Sequence, residues 1–158
     1  MTTLNRRTFL KGTLAGGILT VAASAGLLTP RAVLAATWPK GAFEAKTMDE
    51  AITSLFGSAS APANAAISIK VPLQAENGAV VQFTVTANLP NVEAIAVLVE
   101  KNPNPLVCSV NLMNGAEGFF NGRMKMGKTS EVKVIVKAGG KLYSASQQVK
   151  VTVGGCGG

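Results

Sequence analysis

Histidine is absent from all 158 residues, and the absence removes most routes to an activated nucleophile. Ser-His and Cys-His pairs cannot form, and the commonest zinc ligand is missing. Cysteine is nearly absent as well. Cys108 and Cys156 are the only two, so there is no CxxC redox pair and no thiolate cage for a metal. A glycine-rich phosphate loop followed by Lys is also lacking. Aromatic residues make up 5% of the chain, with one tryptophan, Trp38, which reads as a packing or fraying residue, not a stacking platform for a ligand. Acids are few, 8 against 15 Lys plus Arg. Among them Glu93 and Glu100, seven positions apart on or near a strand, read as exposed charges and not as an acid-base pair.

What is present begins with an export signal. Arg6, Arg7 and Lys11 precede an uncharged stretch, residues 12–29, which is a charged n-region followed by an apolar h-region. Gly, Ala, Thr and Ser dilute that stretch too far for a good transmembrane helix. Small residues around Ala35 and Ala36 suit a signal peptidase. Arg6, Arg7, Phe9, Leu10 and Lys11 resemble the twin-arginine export signal, with Asn5 where Ser or Thr is usual. That route implies cargo folded before export, and a bacterial periplasm as destination. The expected division is a signal over 1–35, a folded domain over 36–153 and a short arm over 154–158.

Removal of the signal changes the charge balance. Fifteen cations less Arg6, Arg7, Lys11 and Arg31 leave 11 against 8 acids, or +3. The high isoelectric point therefore belongs mostly to the discarded segment and supports no nucleic-acid reading. Arg123, Lys125 and Lys128 are the only close trio of cations, and they read as a solvated edge that an anionic substrate or partner could use. The remaining chain is of single-domain length and can bury about two-thirds of its unfolded surface.

Thr47, Met48, Asp49 and Glu50 have the spacing of a capping box. Met48, Ile52, Leu55 and Phe56 follow at helical spacing and Gly57 can end the turn, so one short helix is expected over 47–56. From Ala65 the period changes to two. Ile67, Ile69 and Val71 alternate with polar residues, as do Val81, Phe83, Val85 and Ala87. Residues 95–99 are continuously apolar, as in a strand covered on both faces. Further strands are expected near 106–112, more weakly at 119–126, and at 132–137 and 142–153, the last pair joined at Gly139-Gly140. Seven short strands with Pro, Gly and Asn punctuation predict an all-β, immunoglobulin-like antiparallel sandwich, a barrel being the alternative.

The two cysteines differ in surroundings. Cys108 falls in register with Leu106, Val110 and Leu112 and should face the core. Cys156 follows the last apolar residue, Val153, and stands between Gly154-Gly155 and Gly157-Gly158. Glycine offers no side chain to obstruct a narrow channel and wide backbone freedom. A thiol so placed is suited to insertion into another protein's active site. The carboxylate of Gly158 disfavours a thiolate beside it, so activation must come from the receiving enzyme. Intermolecular disulfide formation is the plainer alternative.

The terminal segment 151–158, ending Gly154-Gly155-Cys156-Gly157-Gly158, resembles the carboxyl terminus of the SoxY family, sulfur-compound carriers of the bacterial thiosulfate-oxidising Sox system. Glu100-Lys101-Asn102-Pro103-Asn104-Pro105-Leu106 resembles that family's central segment. The resemblance implies a periplasmic, non-catalytic carrier without a cofactor, with Cys156 as the covalent site and Gly154, Gly155, Gly157 and Gly158 as a flexible arm. It implies a heterodimer with SoxZ. It also implies transient partners: the haem protein SoxXA, the hydrolase SoxB and, where present, a sulfane dehydrogenase. Cys108 inherits no carrier role from it.

Overall fold

The computed structural model describes residues 38–152. The expected signal, with Arg6 and Arg7, and the expected arm, with Cys156 and its four glycines, lie outside the described residues, as do the boundaries drawn at 35 and 153.

Two helices open the described chain where one was expected. α1 spans Lys40–Glu44 and α2 spans Met48–Phe56. The capping box at α2 forms: Glu50 N–H donates to Thr47 Oγ1 at 3.2 Å, and Thr47 N–H donates to the Glu50 carboxylate at 3.2 Å. Gly57, at φ 80°, ends the helix in the left-handed region that glycine tolerates. Trp38 stacks on Phe43, ring centroids 4.3 Å apart, so it packs on α1.

Eight strands follow: β1 Ile67–Lys70, β2 Gln74–Ala75, β3 Val81–Ala87, β4 Val92–Val99, β5 Leu106–Asn111, β6 Phe119–Met124, β7 Ser130–Ala138 and β8 Lys141–Val151. They form two sheets, ordered β1-β3-β6 and β2-β8-β7-β4-β5. The fold is a sandwich, not a barrel, and the run β8-β7-β4-β5 corresponds to the long sheet of an immunoglobulin-like domain. All pairings between these strands are antiparallel except β2 with β8, where Gln74 meets Lys150 and Ala75 meets Val151; an isolated parallel bridge also joins Ala63 to Ser144. Gly139 and Gly140, at φ 54° and 73°, make the β7–β8 turn as their sequence suggests.

Apolar residues divide into two clusters. Alternating side chains of both sheets, among them Phe83, Val85, Ile95, Val97, Val99, Val134 and Val136, fill the space between the sheets. On the outer face of the five-stranded sheet, Ala96, Leu98, Leu106 and Ile135 pack against Ala42, Ala51 and Ile52 of the helices. The continuous run at 95–99 is thereby explained. Its odd residues face the other sheet and its even residues face the helical layer.

One expected register is corrected. Leu106 does not share a face with Cys108. A bulge between Val97 and Leu98 pairs Val97 with Cys108 but Leu98 with Leu106, so Val107 is the extra residue. Leu106 therefore turns to the helices, while Val107, Cys108, Val110 and Leu112 lie half-buried against the inter-sheet core.

Candidate functional site

The carboxyl end of β8 is the last described point before Cys156, and it is held from both sides. On one edge Lys150 N–H donates to Leu73 O at 2.9 Å and Thr152 N–H to Ala75 O at 3.0 Å. On the other edge regular pairing with β7 stops at Ser130 opposite Val149. Beyond it the Thr129 hydroxyl takes over, accepting from Val151 N–H at 3.0 Å and donating to the Val151 carbonyl at 3.4 Å. Backbone groups that a neighbouring strand would pair are thus satisfied by one side chain.

The loops around this end are tied to one another. Asn102 Nδ2 donates to Lys125 O at 2.8 Å, and Gly127 N–H donates to Asn102 Oδ1 at 3.3 Å. Between them Met126 is buried and its N–H donates to Gly78 O at 2.7 Å. A Cβ at Gly78 would stand 2.3 Å from Met126 O and 2.9 Å from Val151 Cγ1. Asn104 Oδ1 accepts from Lys46 Nζ at 2.7 Å, joining the same turn to the segment before α2. Asn102, Pro103, Asn104, Lys125 and Gly127 line an open groove of about 440 Å³ beside these loops. Thr129 and Gly78 escaped the sequence reading, because each acts on residues 22 or more positions away, whereas Asn102 stood out in the sequence as part of a turn but without its partners at 125 and 127.

Cys108 is a different kind of thiol. Desolvation pushes its pKa up to about 11 from 9.0, against a smaller lowering by a hydrogen bond with the Val97 backbone. A raised folded-state pKa means that stability from this group is fully present below pH 9 and is lost as pH rises through 11. It also means that the reactive thiolate is scarce near neutrality. At pH 8 a small alkylating reagent should modify Cys156 well before Cys108 in the native chain, and both equally in denaturant. Peptide mapping checks this; equal native labelling would contradict it.

The other candidates separate. Glu93 and Glu100 stand at opposite ends of β4 and do not form a pair. Glu93 meets Lys137 at 3.0 Å and accepts from Gly140 N–H at 2.7 Å. The Lys137 contact first, and that N–H second, hold its carboxyl below the ordinary value. Among the described residues no three His, Cys, Asp or Glu side chains group to hold a metal, and no helix is long and apolar enough to cross a membrane.

Comparison with known proteins bears on this end of the chain. A family model described as "Sulfur oxidation protein SoxY" matches residues 52–156. The solved structure of the sulfur carrier protein SoxY from Chlorobium limicola f thiosulfatophilum is 40% identical, with a TM-score of 0.61 over 68% of this chain and 97% of that one. A superoxide reductase (neelaredoxin) from Ignicoccus hospitalis is 19% identical, with a TM-score of 0.49 over 54% of this chain and 80% of that one. A search of curated proteins found no match.

Proposed function

The chain belongs to the SoxY family of sulfur oxidation proteins, and on that premise we propose that it carries thiosulfate-derived sulfur covalently on Cys156 in the periplasm and presents it to partner enzymes. The observation that carries this reading is the extent of the family match, which runs through residue 156 and so includes the cysteine. The hold on Val151 and Thr152 from β2 and Thr129 supports it, because an arm is useful only if its base is fixed.

In the loading step the Cys156 thiol and thiosulfate lose two electrons and one proton. A sulfur-sulfur bond forms between Sγ and the terminal sulfur of thiosulfate, giving a cysteine S-thiosulfonate, and the electrons pass to the haem protein SoxXA. Hydrolysis by SoxB then breaks the bond to the sulfonate group. Water supplies the oxygen of the departing sulfate, and a persulfide remains on Cys156. Where a sulfane dehydrogenase is present, it oxidises that outer sulfur to a sulfonate, with water as the oxygen source and six electrons passed to the dehydrogenase's electron acceptor.

The carrier's own part is reach, clearance and retention. A covalent tether prevents loss of the intermediate between enzymes and raises its local concentration at each one. SoxZ is the proposed stable partner, a related sandwich exported with this chain as a folded pair. Export would use Arg6 and Arg7.

Alkylation after loading tests the proposal. Reduced chain incubated with thiosulfate, the haem enzyme and an electron acceptor should lose alkylation at Cys156, and a thiol reductant should restore it. Omission of the enzyme should leave labelling unchanged. Full labelling after complete incubation would overturn the carrier reading.

A further inference from the structure

The cations of the folded domain are scattered along the sequence, but the sheet topology gathers them. In the five-stranded sheet β4 and β8 run toward the end from which the arm leaves and β5 and β7 start there; Met126 N–H on Gly78 O, with Gly78 beside Val151, brings the ends of β1 and β6 and the start of β3 to the same end. The loops at this end, with the last two residues of each adjoining strand, carry Lys70, Lys101, Arg123, Lys125, Lys128 and Lys150. The acids of these strand loops are Glu76, Glu100 and Glu131, so six cations less three acids leave +3; the α1–α2 loop, joined to Asn104 by Lys46 Nζ, adds Lys46 against Glu44 and Asp49, so seven cations less five acids leave +2. The opposite end balances Lys137 and Lys141 against Glu93 and Glu117. Amid the cations, Leu73 and Val80 are 72% and 52% exposed. The trio read from the sequence as a solvated edge is half of the strand-loop cations.

The arm is short. Cys156 lies five positions beyond Val151, a span of at most about 18 Å at 3.3 to 3.6 Å per residue. A receiving site set below its enzyme's surface therefore brings that surface to within roughly a Debye length, about 8 Å, of these cations. The cargo is anionic, so the receiving site is itself cationic, and two cationic faces repel. Carboxylates around the mouth of the site resolve the conflict.

We infer that this end of the sandwich is an electrostatic docking face, and that its partner surface is a ring of acidic residues around the mouth of each enzyme acting on Cys156. The inference rests on the carrier reading. Attraction of this kind acts chiefly on encounter, raising association rates by roughly ten- to a thousandfold at low salt. Leu73 and Val80 supply the apolar contact that dries the centre of the interface.

The test follows loading of Cys156 by the thiosulfate-oxidising haem enzyme, read by intact mass, across ionic strength. It compares the full mature chain with Lys125→Glu/Lys128→Glu and with Lys141→Glu. The parent rate should fall about tenfold or more between low salt and about 0.5 M. The double variant should be about tenfold slower at low salt and nearly insensitive to salt, and Lys141→Glu should stay within about twofold of the parent. A neutral alkylating reagent should modify Cys156 equally in all three. Equal loading by the two variants, or a salt-independent parent rate, overturns the docking face while leaving the carrier intact. So does binding to anionic lipid vesicles that depends on Lys125 and Lys128 while enzymatic loading does not. A parent chain that never takes up the adduct overturns both readings together.

Discussion

The Cys156→Ser chain should fold as the parent does and support no thiosulfate oxidation. Thermal unfolding should be unchanged, because both apolar clusters lie within residues 42–151. Thiosulfate-dependent electron transfer in a reconstituted mixture should fall to background, a loss of about two orders of magnitude or more. The asymmetry follows from chemistry. A serine oxygen forms no stable bond to sulfane sulfur, and its proton leaves far less readily than a thiol's. A binding module with an incidental tail predicts full activity for the same variant, and a thiol-disulfide enzyme predicts turnover without partners. Cys108 does not substitute, being half-buried with its pKa raised to about 11.

Gly78→Ala should be the most damaging single-methyl change at the base of the arm. Its Cβ would stand 2.3 Å from Met126 O, and the carbonyl cannot simply retreat. Met126 N–H is bonded to Gly78 O at 2.7 Å, and the residues on either side of Met126 are bonded to Asn102. The second clash, 2.9 Å to Val151 Cγ1, pushes on the last residue of β8. A destabilisation on the order of 2 to 3 kcal/mol is expected from overpacking of this kind. Chemical denaturation measures it. Gly127→Ala is the control, since a Cβ there meets nothing within 4 Å, and it should cost less than about 0.5 kcal/mol. If the two variants were equally stable, the described packing under the arm would be wrong. At temperatures where Gly78→Ala remains folded, loading should slow more than alkylation does.

Much of this architecture was legible because its signals are local. The Thr47 to Glu50 capping box, the alternation at 81–87 and 132–137, and the Gly139-Gly140 turn each contain their own cause within a few residues. The missed pieces have causes elsewhere. α1 is five residues long, too short for a period to emerge, and contains Gly41. β2 is two residues that count as a strand only because β8 runs beside them. The bulge that separates Leu106 from Cys108 exists only in the pairing of β4 with β5. The apolar run at 95–99 announced two covered faces, but not that α1 and α2 would supply one of them.

The candidate site divides in the same way. A cysteine between two pairs of glycines is conspicuous in the sequence itself. Its footing is not, because Leu73, Ala75, Gly78, Asn102 and Thr129 reach residues 125–127 and 150–152 only through the fold. The cations likewise become one face only when strands from four parts of the chain end side by side. Charge position, unlike net charge, is a tertiary property.

Intact mass of the chain recovered from cells actively oxidising thiosulfate distinguishes a loaded carrier from a bystander. Sulfur or thiosulfonate adducts should map to the peptide containing Cys156, disappear on reduction and be absent from Cys156→Ser. An unmodified chain throughout active oxidation, or adducts confined to Cys108, would contradict the carrier role of Cys156.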